Sequence, residues 1–274
     1  RFELVLACDP VAHFRSPDVP LGDWAFGHLG YDFKNKTDPA LHTRHPRQPG
    51  PEDCFFFIPE TVCFIPFGKN ELHIESISRS PGTVLDEILS REGNIPFLET
   101  ERPNWRFPVS REDYLQQVRK VIKDIEEGDY YELNFCTEVI SDFKVKDPFG
   151  IFNRLNHDNP APFAAFYRNG PNFLVGASPE RFLYKTNSRI FAQPIKGTCK
   201  RSPHPEEDKM LRDQLQANIK ERAENVMIAD LMRNDLARCC LTGTVQVPEL
   251  FGVYTFPTLH HLISTISGTL DAQL

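Results

Sequence analysis

The chain has 274 residues, of which 40% are hydrophobic and 25% are charged, as is ordinary for a water-soluble globular protein. Its net charge of −7 gives no reason to expect a nucleic-acid partner, and no apolar run approaches the roughly 20 residues that cross a membrane. Seven cysteines without a CxxC pair, and no secretory signal, favour a cytoplasmic protein with reduced thiols over one with disulfides or a zinc site.

The first hundred residues are predicted to be rich in strands, because aromatic and β-branched runs alternate with turn residues. Three runs have this pattern: FELVLAC (2–8), CFFFIPETVCFIPFG (54–68) and ELHIESIS (71–78). Residues 23–33 carry aromatic side chains around two glycines, which indicates a strand pair or a bulge. Residues 101–110 contain two prolines and are predicted to be a connector.

Helix signals appear after the connector. Ser110 and Asp113 predict the capped start of a helix that Gly128 ends, and residues 147–156 predict a short helix. Pro205 and three following acids predict the start of a long helix that reaches about Arg238. Strands are predicted at 130–140, 161–168, 172–178, 180–185, 189–195, 242–250 and 262–270. Many strands with few helices indicate an α+β fold with mixed or antiparallel sheets.

The stretch QPIKGT places Lys196 on a predicted turn, beside a glycine that allows the backbone to approach a ligand closely. A turn lysine usually lies in solvent. A lysine among apolar neighbours or near another cation loses part of its charge instead and becomes a nucleophile. The sequence pattern alone leaves both interpretations open.

Carboxylates and histidines form the other candidate groups. Glu180 follows a strand and, if half desolvated, can act as a general acid. Glu221 and Glu224 share a helix face, near an apolar stripe predicted at Ile219, Arg222 and Val226. Oxygen ligands of this kind suit Mg²⁺, although a salt-bridged helix has the same pattern. The pair His260 and His261 offers a possible base, or simply packed strand histidines.

Five motifs in this order resemble the chorismate-utilising enzymes. They are GDYYELNF (128–135), ASPERF (177–182), PIKGT (194–198), ERAENVMIADLMRNDLAR (221–238) and FPTLHHLIST (256–265). The family includes anthranilate, isochorismate, salicylate and aminodeoxychorismate synthases. Its anthranilate synthases carry PIAGT, so Lys196 makes this chain similar to the aminodeoxychorismate synthases, component I. The resemblance covers residues 1–274 and implies a single domain. The implied fold is a large sandwich of two facing, mainly antiparallel sheets with helices outside. Residues 1–100 would form its strand-rich part and residues 110–274 the catalytic core.

The resemblance also implies roles for the candidate residues. Lys196 would attack C2 of chorismate while the 4-hydroxyl leaves with a proton from Glu180. Ammonia from a glutaminase partner would then replace the lysine, giving 4-amino-4-deoxychorismate for 4-aminobenzoate and folate synthesis. The resemblance further implies that Glu224 binds Mg²⁺, with Glu221 as the second candidate ligand. It places His261, in preference to His260, in the active site. It also implies that Gly197 and Thr198 contact the substrate.

Two kinds of alternative stay open at this point. An enzyme of the anthranilate, isochorismate or salicylate type would use the same substrate. A non-catalytic subunit that docks the glutaminase or binds an effector would use none. In the family, a glycine-rich segment and further helices with a second metal carboxylate follow a strand such as 262–270. We therefore expect the carboxy-terminal part of the fold to be missing from these 274 residues, and the chain alone to be weakly active or inactive.

Overall fold

The computed structural model describes residues 2–16, 22–38, 40–41, 52–91 and 103–273. The chain divides into two compact units, residues 1–95 with 168–172, and residues 96–167 with 173–274. The expectation that residues 1–274 form one domain stays a prediction. Among the described residues, no helix combines the length and the apolar character that a membrane span requires.

The first unit is built on a four-stranded antiparallel sheet in which β3 pairs with each of the other strands. The strands are β1 (Phe2–Phe14), β2 (Phe26–Leu29), β3 (Cys54–Pro66) and β4 (His73–Ser76). A 3₁₀ turn (Tyr31–Phe33) precedes α1 (Lys34–Thr37), and α2 (Pro81–Ser90) follows the sheet. The three predicted strands are confirmed. Residues 23–33 supply one short strand, which pairs with β3, and a 3₁₀ turn, so they do not form a strand pair or bulge by themselves. The close backbone approach expected at their glycines is found at Gly27, where an added Cβ would collide with the backbone of β3.

The second unit is built on a five-stranded antiparallel sheet with the last strand at its centre. Its strands are β7 (Arg181–Thr186), β8 (Arg189–Gln193), β9 (Ile195–Lys200), β10 (Gln246–Thr255) and β11 (Leu259–Thr269). β11 pairs with β10 on one side and with β8 and β9 on the other. Two strands, β5 (Phe163–Asn169) and β6 (Asn172–Ser178), form a separate sheet. The predicted α+β class with antiparallel sheets is confirmed.

The helices are α3 (Arg111–Glu127), α4 (Pro148–Asp158), α5 (Pro205–Ala217) and α6 (Ile219–Ala237). Ser110 caps α3 as predicted, because its Oγ accepts a hydrogen bond from the Asp113 N–H at 3.1 Å. The helical segment predicted from Pro205 to about Arg238 is confirmed, but it consists of two helices. Asn218 has an extended backbone (φ −67°, ψ 115°), and its side chain accepts from the N–H groups that begin α6, so the chain turns there and starts a second helix.

Residues 130–140 do not form the predicted strand. In the described structure their one ladder contact is at Ile140, which exchanges backbone hydrogen bonds of 2.8 and 2.9 Å with Arg106. The aromatic and β-branched residues suit a strand, but a strand also needs a partner, and the local pattern does not supply one. Lys196 was predicted to lie on a turn, but it lies inside the strand β9.

Helix α6 packs against one face of the five-stranded sheet. The core between them consists of Ile190, Ala192, Ala229, Leu236, Cys240 and Ile266. Side chains alternate along a strand, so Leu262, Ser264 and Ile266 of β11 face α6. His261 and Thr265 therefore face the other side of the sheet. Helix α6 and the side chain of His261 therefore lie on opposite faces of β11.

Candidate active site

A β-bulge interrupts β9 at the predicted nucleophile. Lys196 and Gly197 together lie opposite the single residue Leu262 of β11, between two regularly paired positions. Gly197 has a φ of +93°, a left-handed conformation that glycine adopts without strain. A bulge re-aims the side chains next to it and is frequent beside active sites. The glycine after Lys196 is therefore required by the bulge itself.

The side chain of Lys196 lies in a polar clamp. Its Nζ is 2.8 Å from Glu132 Oε1 and donates to Asn134 Oδ1 at 3.3 Å. The exposed fractions of the Lys196 and Glu132 side chains are 24% and 22%. Both clamp residues come from GDYYELNF, a motif of the family resemblance, but sequence analysis did not select them. The spacing within that motif contained no signal that it would meet β9.

Glu180 is attached to the strand that carries Lys196. Its Oε1 accepts a hydrogen bond from the backbone N–H of Ile195 at 3.1 Å, one residue before the lysine. Its own N–H donates to Ser178 Oγ at 3.2 Å. The residue is exposed, so the expected half-desolvated carboxyl is not found. Glu180 Oε2 remains available to a bound molecule, because Oε1 alone holds the strand.

The two histidines have different environments. His261 is 5% exposed, and its Nδ1 lies 2.8 Å from Thr198 Oγ1 of β9. Burial lowers the pKa of His261, an effect that nearby Glu180 opposes and His260 reinforces. His260 instead lies between Thr255 Oγ1 at 2.9 Å and Asp208 Oδ1 at 3.0 Å. His260 is therefore a packed, hydrogen-bonded histidine.

A cavity of about 320 Å³ adjoins His261 in this unit. It is lined by Leu155, Asn159, Pro160, Ala161, Pro162, Ala177, Pro179, Phe256, Thr258, Leu259 and His261. The ring of Phe256 meets the His261 ring edge-on, with centroids 5.2 Å apart. Pro179 also lines the cavity and directly precedes Glu180. An apolar cavity with a few polar groups at its edge is typical of a small-molecule site.

The lowered pKa of His261 predicts a pH-dependent contribution to stability. An unfolded histidine titrates at a higher pKa, of about 6.5, so protonation favours the unfolded chain. The stabilisation by neutral His261 is fully present above about pH 6.5 and is lost as the pH falls through the folded pKa. The difference in unfolding free energy between wild type and His261→Gln should therefore shrink from pH 8 to pH 5 (urea unfolding). His204→Gln, at an exposed position, controls for loss of one histidine, and a pH-independent difference would contradict the prediction.

Glu221 lies directly behind the bulge. A Cβ added to Gly197 would come within 3.1 Å of Glu221 Oε2 and 3.2 Å of Leu262 Cβ, so the missing side chain lets α6 approach β9. The apolar stripe predicted beside the two acids is wrong. Ile219 is 85% exposed and Val226 is 44% exposed, and the buried residues of α6 are Asn225, Ala229 and Leu236. The helical spacing was right, but the buried face was assigned to the wrong side.

The two acids of α6 already share a cation. Lys220 Nζ lies 3.3 Å from Glu224 Oε1 and 4.0 Å from Glu221 Oε1. Mg²⁺ is typically bound through one or two carboxylates, with waters and substrate oxygens as its other ligands. The pair fits that requirement. The described residues contain one group of three close acids, Asp124, Glu127 and Asp129, but it lies at the end of α3 and is engaged with Lys120 and Lys123.

A buried asparagine holds the bulge in place, and sequence analysis did not select it. Asn225 is 0% exposed, and its Nδ2 donates to the carbonyl oxygens of Leu262 at 3.1 Å and Lys196 at 3.4 Å. Its Oδ1 accepts from Ser264 Oγ. One side chain of α6 thus satisfies carbonyl groups of both strands at the bulge. The sequence signal that could have identified Asn225 is its position, directly after Glu224 and directly before an apolar run of α6.

The structure brings most of the predicted residues together along β9. Ile195 contacts Glu180, Lys196 is held by the clamp, Gly197 lies against Glu221, and Thr198 contacts His261. Glu224 is one turn further along α6, and its ion pair in the described structure is with Lys220. The bulged strand β9 therefore carries the amine of Lys196 and is contacted by the carboxyl of Glu180, the imidazole of His261 and Glu221, the first acid of α6.

The chain is similar to several known proteins. The sequence profile of the family described as chorismate binding enzyme matches residues 6–274. Aminodeoxychorismate synthase component 1 of Escherichia coli is 43% identical over 171 residues, which are 62% of this chain and 38% of that protein. Anthranilate synthase component 1 of Thermus thermophilus is 34% identical over 265 residues, 93% of this chain and 57% of that protein. The chain thus spans less than two thirds of either relative.

A solved structure shares the fold. Anthranilate synthase component I from Streptococcus pneumoniae aligns with a TM-score of 0.83 and 24% identity, over 99% of this chain and 69% of that one. At this identity the likeness concerns the fold alone. It agrees with the α+β class and antiparallel sheets described above.

Proposed function

The chain belongs to the family of chorismate-binding enzymes, and we propose that it carries the aminating site of an aminodeoxychorismate synthase. The observation that carries the proposal is the position of Lys196, on a bulge that Glu221 and Asn225 of α6 adjoin. Glu180 binds the backbone N–H of Ile195, the residue just before the bulge. A relative named aminodeoxychorismate synthase component 1 supports the same assignment. Activity, substrate and partner of the whole protein are part of this proposal.

Two successive displacements replace the 4-hydroxyl of chorismate by an amine. The neutral amine of Lys196 bonds to C2, the ring double bonds shift, and the C4–O bond breaks. Ammonia then bonds to C4, the double bonds shift back, and the C2–N bond breaks with its electron pair returning to the lysine. Covalent catalysis of this kind divides one difficult step into two easier ones and retains the configuration at C4.

The neighbouring side chains have separate tasks in this scheme. Glu180 is exposed in the free chain, so its role as general acid requires that bound chorismate shields it from water. It then donates a proton to the leaving hydroxyl, which departs as water, and recovers a proton from the new ammonium group at C4. His261 and Thr198 act together as one hydrogen-bonded pair that contacts the substrate. Gly197 contributes its backbone, since it has no side chain to separate the substrate from α6.

Glu224 and Glu221, which now lie beside Lys220, are the residues that would hold Mg²⁺. The bound ion would neutralise and orient the ring carboxylate of chorismate. Helical spacing puts both carboxylates on one side of α6. Of the two, Glu221 is the one that adjoins Gly197.

Ammonia is proposed to come from a glutaminase partner. The designation component 1 in the names of relatives indicates that those proteins work with a further component. Free ammonium would bypass such a partner, so the chemistry can be tested in its absence.

Product analysis tests the proposal. The full-length protein is incubated with chorismate, Mg²⁺ and ammonium at high pH, and the products are separated and identified by mass and fluorescence. We expect 4-amino-4-deoxychorismate. Formation of fluorescent anthranilate would favour the second candidate, an anthranilate synthase, to which the relative from Thermus thermophilus points. Isochorismate, or no turnover at all, would overturn the amination proposal.

A further inference from the structure

We infer that Glu132 is the proton acceptor of Lys196. The inference rests on the proposed function, because it assigns the path of one proton in that reaction. A lysine attacks carbon only as the neutral amine, so its ammonium form must first lose a proton. The carboxylate of Glu132 takes this proton, keeps it during the covalent phase, and returns it after the lysine is released.

The distance between the two groups permits direct transfer. Lys196 Nζ and Glu132 Oε1 are 2.8 Å apart. A positioned base takes a proton over roughly 2.6–3.2 Å, so the two groups are close enough. The three other predicted carboxylates have partners elsewhere. Glu180 accepts from the Ile195 N–H, and both Glu221 and Glu224 lie beside Lys220. Within the described part of the chain, Glu132 supplies the ion pair of Lys196.

The second oxygen of Glu132 distinguishes this pair from an ordinary salt bridge. Oε2 is buried and has no hydrogen-bond partner among the residues that the structure describes. A buried polar atom without a partner is costly and calls for an explanation, and a catalytic role is one of the recognised explanations. A carboxylate that lacks a hydrogen bond at one buried oxygen is less well stabilised as an anion, so Glu132 loses less by becoming the neutral acid that this transfer requires.

Asn134 completes the arrangement. Its Oδ1 accepts a hydrogen bond from Lys196 Nζ at 3.3 Å. An amide oxygen accepts an N–H but does not take a proton near neutral pH. The neutral amine therefore keeps one N–H bonded to Asn134 after it has given a proton to Glu132. The nitrogen stays in place while its lone pair becomes available, so Asn134 acts as a positioning residue.

The protons balance over one cycle. Before attack, a proton moves from the Lys196 ammonium to Glu132, giving a neutral amine and a carboxylic acid. Attack at C2 makes a secondary ammonium, and Glu180 gives its proton to the departing hydroxyl. Ammonia then bonds to C4, the lysine leaves as a neutral amine, and the C4 ammonium returns a proton to Glu180. Glu132 finally returns its proton to Lys196, and the net change is chorismate plus ammonia to product plus water.

The pH dependence of Glu132→Gln tests the inference in the full-length protein. Glutamine keeps the size and an accepting oxygen but takes no proton. At pH 7 we expect kcat with ammonia to fall about 100-fold, while KM for chorismate stays within about threefold. The deficit should shrink as the pH rises, because hydroxide and solvent then remove the proton from the lysine. Single-turnover formation of the chorismate adduct on Lys196, followed by intact mass, should show the same pH dependence.

Glu138→Gln is the matched control, since Glu138 is exposed and lies six residues further along the same segment. If Glu132 only kept the lysine charged, removing its negative charge would free the amine, and kcat at pH 7 would rise. That rise, an unchanged kcat, or a loss that is equal at every pH would overturn the inference. These outcomes for Glu132→Gln would leave the proposed function intact, provided that Lys196→Ala abolishes amination. A wild-type protein that forms no 4-amino-4-deoxychorismate would instead overturn the proposed function and this inference together.

Discussion

Replacing Lys196 with alanine is expected to lower kcat for ammonia-dependent amination of chorismate by on the order of 10³-fold or more, since removing a covalent nucleophile costs most of the catalysis. Alanine cannot form the C2 bond, so both displacements lose their intermediate. The measurement is the steady-state rate of 4-amino-4-deoxychorismate formation by the full-length protein, with intact mass as a second readout. The chorismate adduct that we expect on the wild type without ammonia should be absent.

Lys200→Ala is the matched control, because Lys200 ends the same strand and is exposed. Lys196→Ala also leaves Glu132 without its cation, which could cost stability. The double variant Lys196→Ala with Glu132→Gln removes that unpaired charge, so a double variant that is stable and still inactive assigns the loss to chemistry. An alanine variant that keeps near-normal turnover at limiting ammonia would rule out the lysine intermediate.

The parts of the fold that depend on nearby residues could be predicted from the sequence. Ser110 with Asp113 and Gly128 mark the two ends of α3, because caps act over three or four residues. The strand runs of β3 and β11 were recognisable in the same way. The break at Asn218 was missed because the helical period continues across it, although asparagine is a strong capping residue.

The parts that depend on long-range contacts could not be predicted. Lys196 was placed on a turn because a glycine follows it, whereas pairing with β11 makes that glycine part of a bulge. Glu132 lies 64 residues before Lys196, and no local pattern brings them together. Helical spacing put Glu221 and Glu224 on one face but could not tell which side of α6 meets the sheet. Polar Asn225 lies on that buried side because strand carbonyls need a donor there.

Asn225→Ala is expected to have the largest effect on stability among the substitutions considered. The change leaves the carbonyls of Lys196 and Leu262 without this donor, and Ser264 Oγ without its acceptor, at a site that is 0% exposed. Each buried polar group left unpaired costs about 1–3 kcal/mol, so we expect a loss of about 3–5 kcal/mol in unfolding free energy. Urea unfolding measures this loss. The exposed Asn234 of the same helix is the control, and Asn234→Ala should change stability by less than about 0.5 kcal/mol.

Asn225→Asp separates the loss of the donor from the loss of volume. Aspartate keeps the size of the side chain and an oxygen that accepts from Ser264. Its second oxygen, however, takes the place of the amide that donates to two carbonyl groups, so it adds repulsion and a buried charge. The aspartate variant should therefore be at least as unstable as the alanine variant. If it were as stable as wild type, the hydrogen bonds to the bulge would not be what Asn225 contributes, and the packing of α6 alone would hold Lys196 in position.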